Sequence, residues 1–579
     1  MRPSIRLLPL LWVVLALAAV AATWVEPARW AHPYDWRYFE SLLEVARRTV
    51  SWYGQMPLWN PYQCGGEVLL ANPQSELASP TFLFSLVFGT AVGIKLSLWV
   101  YWFCAFDGGF RLAKSHGLST VASMLAAILY GGTGWLALHV ASGHSNFASA
   151  ALFPYLLLFY RRALDEWEWA IPMGAIAAWI VALGGTSTPA MAAVLLATVA
   201  TMDAVSRRSA KPYLVLVLGA AAALAIGAVR ILPATEFAFA HPRQAWETDA
   251  NNIWQILVNG FRWQNLSPVA GKRYWFHEYC WRMSFVVIPL AIWSIRAKVA
   301  TRRYWVLAVV AGSIVAGAAI PYGPWWMLKH LPMYRDLRVP SRYSILLVLA
   351  VSLLAAGAFD DLLARLKSAR WRMVLTVVVL VGAAGECLAF DWFCFRNVFT
   401  MKTHVALEGT PFYQEQGEWR VMMDHILAGH GAIGCDEEAP LQRALQLDIG
   451  PNQPQAKLAP NAAGVLGQLV WTPNRLEIAV DLPSPARVLF NQNWNEHWKT
   501  SAGLVVRDGP KVARDRDGGR LAVDAPAGKY TLVLRYRPTS FVVGAATSAI
   551  GIPGLLALFV VRRRRRSAAR AQSTPASHQ

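Results

Sequence analysis

The chain has 579 residues, of which 55% are hydrophobic and only 15% are charged. About a quarter of the residues in a typical soluble domain are charged, so this composition excludes an ordinary soluble protein and indicates a membrane protein. The net charge of +19 does not indicate nucleic-acid binding, because the Lys and Arg residues fall in short clusters beside apolar stretches.

Apolar stretches long enough to cross a bilayer occur along most of the chain. A transmembrane helix needs about 20 mostly apolar residues, and this criterion predicts about twelve spans. They lie near residues 6–25, 88–110, 118–140, 145–163, 170–186, 188–205, 212–233, 283–297, 303–321, 342–362, 373–390 and 541–561. We therefore expect a mainly α-helical, polytopic membrane protein, with an uncleaved first helix because so many spans follow it.

The basic residues predict the orientation of these spans. Clusters of Lys and Arg occur at alternate connections, and such clusters stay in the cytoplasm. Both termini, including the basic tail 562–579, are therefore predicted to be cytoplasmic. The large connections are expected on the outer side, and these are residues 26–87, 234–282, 322–341 and 391–540.

This map divides the chain into a membrane domain and an outer domain. Residues 1–390, with the outer loop 26–87, form the predicted transmembrane domain, and residues 391–540 form an extracytoplasmic domain before the last span. From about Asn474 the sequence alternates apolar and polar residues, with Gly and Pro between the segments, which predicts a β-sandwich-like fold. Trp494 and Trp498 are interpreted as core residues of this domain, with binding of an acceptor polymer as the alternative.

The six cysteines show neither a CxxC motif nor a Cys/His spacing typical of a zinc site. Cys64, Cys280 and Cys435 are all predicted to lie outside the cytoplasm. A disulfide among these three is one expectation, and free buried thiols are the other.

Asp35 precedes a segment with a helical pattern of apolar residues. Trp36, Phe39, Leu43 and Ala46 fall on one face, and charged residues fall on the other. The pattern predicts an amphipathic helix that lies along the outer membrane interface. Taken alone, Asp35 is then interpreted as the N-cap of this helix, since Asp fills that role well.

Short motifs rich in Pro, Gly and Asn follow Asp35 along the chain. They are Pro57-Leu58-Trp59-Asn60-Pro61, Gly65-Gly66, Ala71-Asn72-Pro73, Gly143-His144-Ser145-Asn146, Leu232-Pro233-Ala234-Thr235-Glu236, Leu337-Arg338-Val339-Pro340-Ser341-Arg342, Asn493-Trp494 and Pro526-Ala527-Gly528-Lys529-Tyr530. Together with the position of Asp35 after the first span, this pattern resembles the YfhO family of bacterial membrane proteins, which belongs with the GT-C glycosyltransferases.

The resemblance implies a glycosyltransferase of the bacterial cytoplasmic membrane, with its active site on the outer face. The implied donor is a sugar on polyprenyl phosphate, and the implied acceptor is an extracytoplasmic glycan or glycopolymer. It also implies that an acidic residue in the first outer loop is the catalytic base or a group that orients the acceptor, and Asp35 matches that position. Such a base removes the acceptor proton while the lipid phosphate leaves, so a single displacement would invert the anomeric centre.

Two other classes of protein remain open at this point. A transporter or flippase of lipid-linked sugars would also need many spans and buried charges. A non-catalytic envelope protein would instead depend on its β-rich domain to recruit partners.

Arginines near the predicted outer ends of spans are candidates to bind the leaving phosphate. A guanidinium can bind phosphate oxygens in a bidentate manner. Arg338 and Arg342 flank Pro340 where the loop 322–341 enters the next span, and Arg230 is a third candidate. The alternative for each is a salt bridge or a side chain that extends to the membrane surface.

Five polar residues in the outer connections are candidates to bind substrate. They are Asn60, Asn72, His144, Asn146 and Glu236. Amide, imidazole and carboxylate groups can all bind sugar hydroxyls, but each of these residues also has a structural interpretation in turns or ion pairs.

The sequence leaves the question of cofactors open. No DxD pair occurs at Asp35, where the sequence reads Asp35-Trp36-Arg37, so a metal requirement stays unknown. No GxxxxGK[ST] motif is present, so ATP use through a P-loop is not indicated. The expected partners are a lipid-linked sugar, a glycan acceptor and membrane lipid, and no nucleic acid.

Overall fold

A computed structural model describes residues 8–25, 35–242, 249–297, 300–396, 412–417, 422–434, 447–501, 503–508 and 519–572. The helices are α1 Leu8–Val20, α2 Trp36–Tyr53, α3 Phe82–Phe88, α4 Thr90–Ser115, α5 Thr120–Gly131, α6 Gly134–Ala141, α7 Phe153–Ala163, α8 Ala170–Ala182, α9 Ser187–Arg207, α10 Lys211–Ala240, α11 Ile253–Asn259, α12 Val287–Ser294, α13 Tyr304–Ala316, α14 Pro324–Lys329, α15 Ser344–Arg365, α16 Ala369–Phe395, α17 Met422–Ala428 and α18 Thr539–Gln572. The strands are β1 Trp59–Asn60, β2 Glu67–Val68, β3 Gln414–Glu415, β4 Gly431–Ala432, β5 Ala456–Leu458, β6 Val465–Leu466, β7 Val470–Thr472, β8 Arg475–Leu482, β9 Ala486–Asn493, β10 Trp498–Thr500, β11 Val506–Asp508, β12 Arg520–Ala525 and β13 Gly528–Tyr536.

The chain is an integral membrane protein with a mainly helical fold. Within the described residues, six helical stretches are long and apolar enough to cross a membrane, and they are Thr120–Ala141, Ser187–Arg207, Lys211–Ala240, Pro340–Arg365, Ala369–Phe395 and Thr539–Ala568. The predicted count of about twelve spans is therefore not confirmed.

Two of the predicted spans show why the count differs. The predicted span 283–297 contains only the eight-residue helix α12, and the span 145–163 divides into the 3₁₀ helix Ser145–Leu152 and α7. Average hydropathy does not show whether an apolar stretch forms one continuous helix that is long enough to cross a membrane, so stretches without such a helix contributed to the predicted number.

Helix α2 forms where the apolar spacing predicts it, but its surroundings differ from the expectation. Most of α2 is buried, including the polar residues Glu40, Glu44 and Arg48. Arg48 donates hydrogen bonds to Glu44 and to the carbonyl of Ile426, the latter in α17. The polar face of α2 therefore packs against another part of the protein and is not exposed to solvent. The position of α2 relative to the membrane interface stays a prediction. Periodicity shows which face is polar and not what covers it.

The β-rich region is built from two antiparallel sheets. One sheet has the strand order β10-β13-β8-β6, with β7 also paired to β8, and the other has the order β11-β12-β9-β5. Apolar residues alternate with exposed ones along β8, which runs from Arg475 to Leu482, as the period of two predicts. The regular sheets begin at Ala456, earlier than the predicted start near Asn474.

The loop between α2 and α3 is attached to this β-rich region. Trp59 is buried with its ring centroid 4.8 Å from Tyr536 and 5.6 Å from Trp498, and its indole N–H donates to Gln492 at 2.9 Å. Asn493 donates to two carbonyls of the same loop, at Cys64 and Gly66. The sequence interpretation of Trp498 as a core residue agrees with its burial.

Arg230 of α10 holds the next part of the loop from the opposite side. Its guanidinium donates to four backbone carbonyls, those of Leu70, Asn72, Pro73 and Ser75. Irregular backbone needs such partners where helices exclude water. The loop is thus fixed to the helices by Arg230 and to the β-rich region by Trp59 and Asn493.

The cysteines divide into one disulfide-bonded residue and several free thiols. Cys64, in the loop that meets the β-rich region, is disulfide-bonded, and Cys280 is free and buried. Cys435 lies outside the described residues.

The burial of Trp59 predicts that its replacement separates the loop from the β-rich region. Trp59→Ala should reduce the free energy of unfolding by about 3–5 kcal/mol, because it removes a large buried side chain and leaves a cavity. Thermal melting of the purified protein in detergent measures the effect. The matched control is Trp254→Ala at an exposed tryptophan, and equal melting temperatures for the two variants would contradict the role of Trp59.

Candidate functional site

One cavity of about 430 Å³ opens at the end of the helical region where α10 ends and α15 begins. Roughly 300–1,000 Å³ is typical of small-molecule sites. Residues far apart in the sequence meet in its wall, among them Asp35, Asn72, His144, Asn146, Arg338 and Arg342. The cavity therefore brings together six of the nine residues that the sequence nominates.

The first of these residues is positioned by a close contact between two backbone segments. The N–H of Asp35 donates to the carbonyl of Ser142 at 3.2 Å. Gly143 follows with φ +98°, and a Cβ at this position would overlap the backbone of Asp35 and Trp36. Glycine is needed there for both reasons. The Gly143-His144 motif thereby sets His144 directly beside the start of α2.

The carboxylate of Asp35 faces the cavity and binds His144. Asp35 occupies the N-cap position of α2, but its side chain makes no capping hydrogen bond, so the interpretation as a simple helix cap is wrong. Instead Oδ2 lies 2.9 Å from Nε2 of His144, with the Asp35 side chain 52% exposed. Burial raises the pKa of Asp35, but the hydrogen bond and charge of His144 and the charge of His277 lower it further, so the net pKa lies below its usual value. Asp35 is therefore ionised at neutral pH and can accept a proton.

Behind His144 lies a cluster of buried polar side chains. The Nδ1 atoms of His144 and His139 are 3.1 Å apart. Glu278 is buried and accepts both arms of the Arg342 guanidinium, with Nε at 2.7 Å. Burial raises the pKa of Glu278, but Arg342 outweighs it and holds the pKa well below its usual value. The ring of His277 packs 5.1 Å from that of His144, and burial lowers its pKa to about 4.

The three candidate arginines have different environments. Arg338 and Arg342 both line the cavity, whereas Arg230 is committed to the loop carbonyls and is absent from the cavity lining. The Arg342 guanidinium also lies 4.9 Å from the ring of Phe147. Much of the charge of Arg342 is balanced by Glu278.

The candidate amides also separate into two groups. Asn72 lines the cavity and donates to the hydroxyl of Tyr38 at 2.8 Å. Asn146 lines it too, and its buried Oδ1 has no hydrogen-bond partner in the part of the chain that the structure describes. Asn60 lies away from the cavity and bonds Gln63 and Glu67 within its own loop.

Glu236 lies outside the cavity lining, although its neighbours Phe237 and Ala238 are part of it. Its carboxylate accepts from the hydroxyl of Ser540 and lies 3.6 Å from Nε2 of His497. These contacts tie the end of α10 to the start of α18 and to the β-rich region. Its predicted contact with substrate is not part of this arrangement.

His139 and Glu278 are part of the site, but sequence reasoning missed both. His139 lies inside a predicted apolar span, so its sequence position indicates only a buried residue of a helix. Glu278 is one acidic residue in a long connection, and nothing in its sequence neighbours indicates Arg342 as its partner. His139 and His144 lie five residues apart in the sequence, and this spacing was the signal that could have placed His139 in the site.

No family model matches the chain, and no curated protein matches it. Among solved structures, the apo crystal structure of ArnT from Cupriavidus metallidurans is similar, with a TM-score of 0.47, 12% identity, and coverage of 74% of this chain and 86% of that one. The ArnT structure bound to undecaprenyl phosphate gives a TM-score of 0.41 at 14% identity, covering 67% of this chain and 76% of ArnT.

The arabinofuranosyltransferase AftD from Mycobacteria gives a TM-score of 0.42 at 14% identity. That match covers 67% of this chain but only 27% of AftD, so the chain spans about a quarter of the length of AftD. Likeness at this level assigns neither a family nor an activity to the chain.

The ion pair between Arg342 and Glu278 predicts a specific pattern of stability. Arg342→Gln leaves a buried carboxylate without its counter-charge, which typically costs about 3–5 kcal/mol. The double variant Arg342→Gln/Glu278→Gln removes both charges and should recover most of that loss. Thermal melting of both variants checks this pattern, and a double variant less stable than Arg342→Gln would contradict it.

Proposed function

We propose that the chain is a membrane glycosyltransferase of the GT-C type. It transfers a monosaccharide from polyprenyl phosphate to a glycan or glycopolymer acceptor on the outer side of the cytoplasmic membrane. The observation that carries the proposal is the single cavity lined by an ionised carboxylate, Asp35, and by two arginines, Arg338 and Arg342. The motif resemblance to the YfhO family, described above, supports the same assignment.

The carboxylate and the arginines of the cavity suit the two ends of the transfer reaction. Asp35 accepts the proton of the acceptor hydroxyl as that oxygen attacks C1 of the sugar. The C1–O bond to the lipid phosphate breaks, and the phosphate leaves with its electron pair. Arg338 and Arg342 stabilise the negative charge of this phosphate, and Glu278 holds Arg342 at the cavity wall. A single displacement of this kind inverts the anomeric centre.

Other lining residues suit a sugar between these groups. Asn72 and Asn146 offer amide groups that can bind hydroxyls, and Tyr38 and Phe147 offer aromatic surface. His144 orients the carboxylate of Asp35 through the hydrogen bond at 2.9 Å. Neither Asn60 nor Glu236 has a place in the proposed binding mode.

The role of Asp35 predicts a large loss of transfer when its charge is removed. Asp35→Asn should reduce turnover by roughly a hundred- to ten-thousandfold, the usual contribution of general base catalysis. The measurement is glycosidic bond formation in proteoliposomes that carry a polyprenyl-phosphate sugar and an acceptor glycan.

The matched control is Asp481→Asn, an exposed aspartate of the β-rich region, which should keep wild-type turnover. Wild-type turnover by Asp35→Asn would contradict the catalytic role. Movement of the lipid-linked sugar between leaflets without formation of a glycosidic bond would show that the protein is a flippase and not a transferase.

The role of Arg338 predicts a weaker interaction with the donor. A hydrogen bond to a charged group contributes about 1.5–3 kcal/mol, so Arg338→Gln should raise the KM for the donor by about ten- to a hundredfold. Arg338→Lys keeps the charge and should lose less. Initial rates at varied donor concentration measure this, with Arg365→Gln at the far end of α15 as the control. An unchanged KM in Arg338→Gln would contradict phosphate binding by Arg338.

A further inference from the structure

The buried cluster behind the cavity has the composition of a metal site. His139, His144 and Glu278 each place one nitrogen or oxygen ligand atom so that all three atoms lie within 4.8 Å of one another. All three residues are buried. The reaction proposed above uses the contact of His144 with Asp35 and that of Glu278 with Arg342, but it leaves the grouping of these two residues with His139 unexplained.

The two ring nitrogens of His144 have different partners. Nε2 lies 2.9 Å from a carboxylate oxygen of Asp35. Nδ1 faces Nδ1 of His139 at 3.1 Å. Either the two imidazoles form a hydrogen bond through these atoms, or both nitrogens share a cation.

The spacing of 3.1 Å fits a hydrogen bond between the two rings. It is also close to the separation of about 3.3–3.4 Å between two nitrogen ligands that lie about 2.0–2.1 Å from a tetrahedral zinc ion. The third residue of the cluster favours the cation. Glu278 adds an anionic oxygen to this group, and its two hydrogen bonds to Arg342 leave lone pairs on both carboxylate oxygens.

The contacts around the cluster match the outer environment of metal ligands in proteins. A metal-bound histidine usually donates its other N–H to a carboxylate, and a metal-bound carboxylate usually accepts hydrogen bonds of its own. The contact between Asp35 and His144 has the first form, and the contact between Arg342 and Glu278 has the second. Nε2 of His139 is buried without a hydrogen-bond partner among the residues that the structure describes.

We propose that His139, His144 and Glu278 bind a divalent transition-metal ion of the zinc class. Two imidazoles and one carboxylate are a ligand set that zinc adopts in proteins, whereas magnesium prefers oxygen ligands alone. The ion fixes the ring of His144, and through it the carboxylate of Asp35 at the cavity wall. This proposal does not rest on the transferase activity, because metal binding is measured without any sugar substrate.

The test measures metal binding by the full-length protein in detergent. After treatment with a chelator, Zn²⁺ is titrated against the wild type and the double variant His139→Asn/His144→Asn, and the bound metal is measured by mass spectrometry. The control is His330→Asn, at a histidine outside the cluster that bonds the carbonyl of Trp326. We expect one Zn²⁺ ion per chain in the wild type and the control, and none in the double variant.

Asp35→Asn supplies a test that keeps all three ligands. Loss of the carboxylate partner of a metal-bound histidine typically weakens metal binding by about ten- to a hundredfold, so Asp35→Asn should retain one site with weaker affinity. If the double variant does not fold, the wild type can be tested by itself. Its melting temperature is then measured with and without Zn²⁺, and we expect a higher value with the ion.

Three outcomes would overturn the metal site. They are a wild-type protein that binds no Zn²⁺ or Co²⁺, equal binding by the wild type and the double variant, and a melting temperature that does not respond to either ion. In each case the two imidazoles would instead form a hydrogen-bonded pair. Any of these outcomes together with normal transfer activity would leave the proposed function intact and reject the ion alone.

Discussion

The attachment of the loop after α2 on two sides is the constraint on which the candidate site depends. Arg230 supplies hydrogen bonds to four carbonyls of this loop, and Asn493 supplies two more from the β-rich region. Backbone groups of an irregular segment cannot be left unpaired where water is excluded. These six bonds therefore fix the path of the loop, and with it the position of α2 and of Asp35 at its start.

The same arrangement explains why Asp35 is available for chemistry. The backbone of Asp35 begins α2 and accepts hydrogen bonds from the N–H groups of Tyr38 and Phe39, so the helix start does not need the side chain. The carboxylate is left to face the cavity and to bind His144. In the same cluster as His144, Glu278 balances Arg342, and Arg338 also lines the cavity. A carboxylate and two arginines in the lining of one small cavity suit a substrate with a hydroxyl at one end of the reaction and a phosphate at the other.

Local sequence pattern predicted the elements better than their surroundings. The apolar spacing after Asp35 predicted α2, and the alternation after Asn474 predicted strands, because both signals depend on residues close in the chain. The burial of the polar face of α2 depends on α17, nearly four hundred residues later. No local pattern contains that information, so the burial of this polar face was not predicted.

In the candidate site, too, sequence position predicted some residues correctly and missed those whose role depends on distant partners. Asp35, Arg338 and Arg342 were nominated because of their places beside predicted spans, and all three line the cavity. Arg230 had an equivalent place, but its side chain turns to loop carbonyls, and sequence position does not reveal the direction of a side chain. His139 and Glu278 were missed because their importance depends on partners brought together only by the fold.

The central claim is that Asp35 and Arg338 act on one lipid-linked sugar within this cavity. A cryo-electron microscopy structure of the protein with polyprenyl phosphate bound would test it most directly. The account predicts that the phosphate lies against Arg338, with space for one sugar between it and the carboxylate of Asp35. A phosphate bound outside this cavity, or separated from Asp35 by much more than the length of one sugar, would contradict the account.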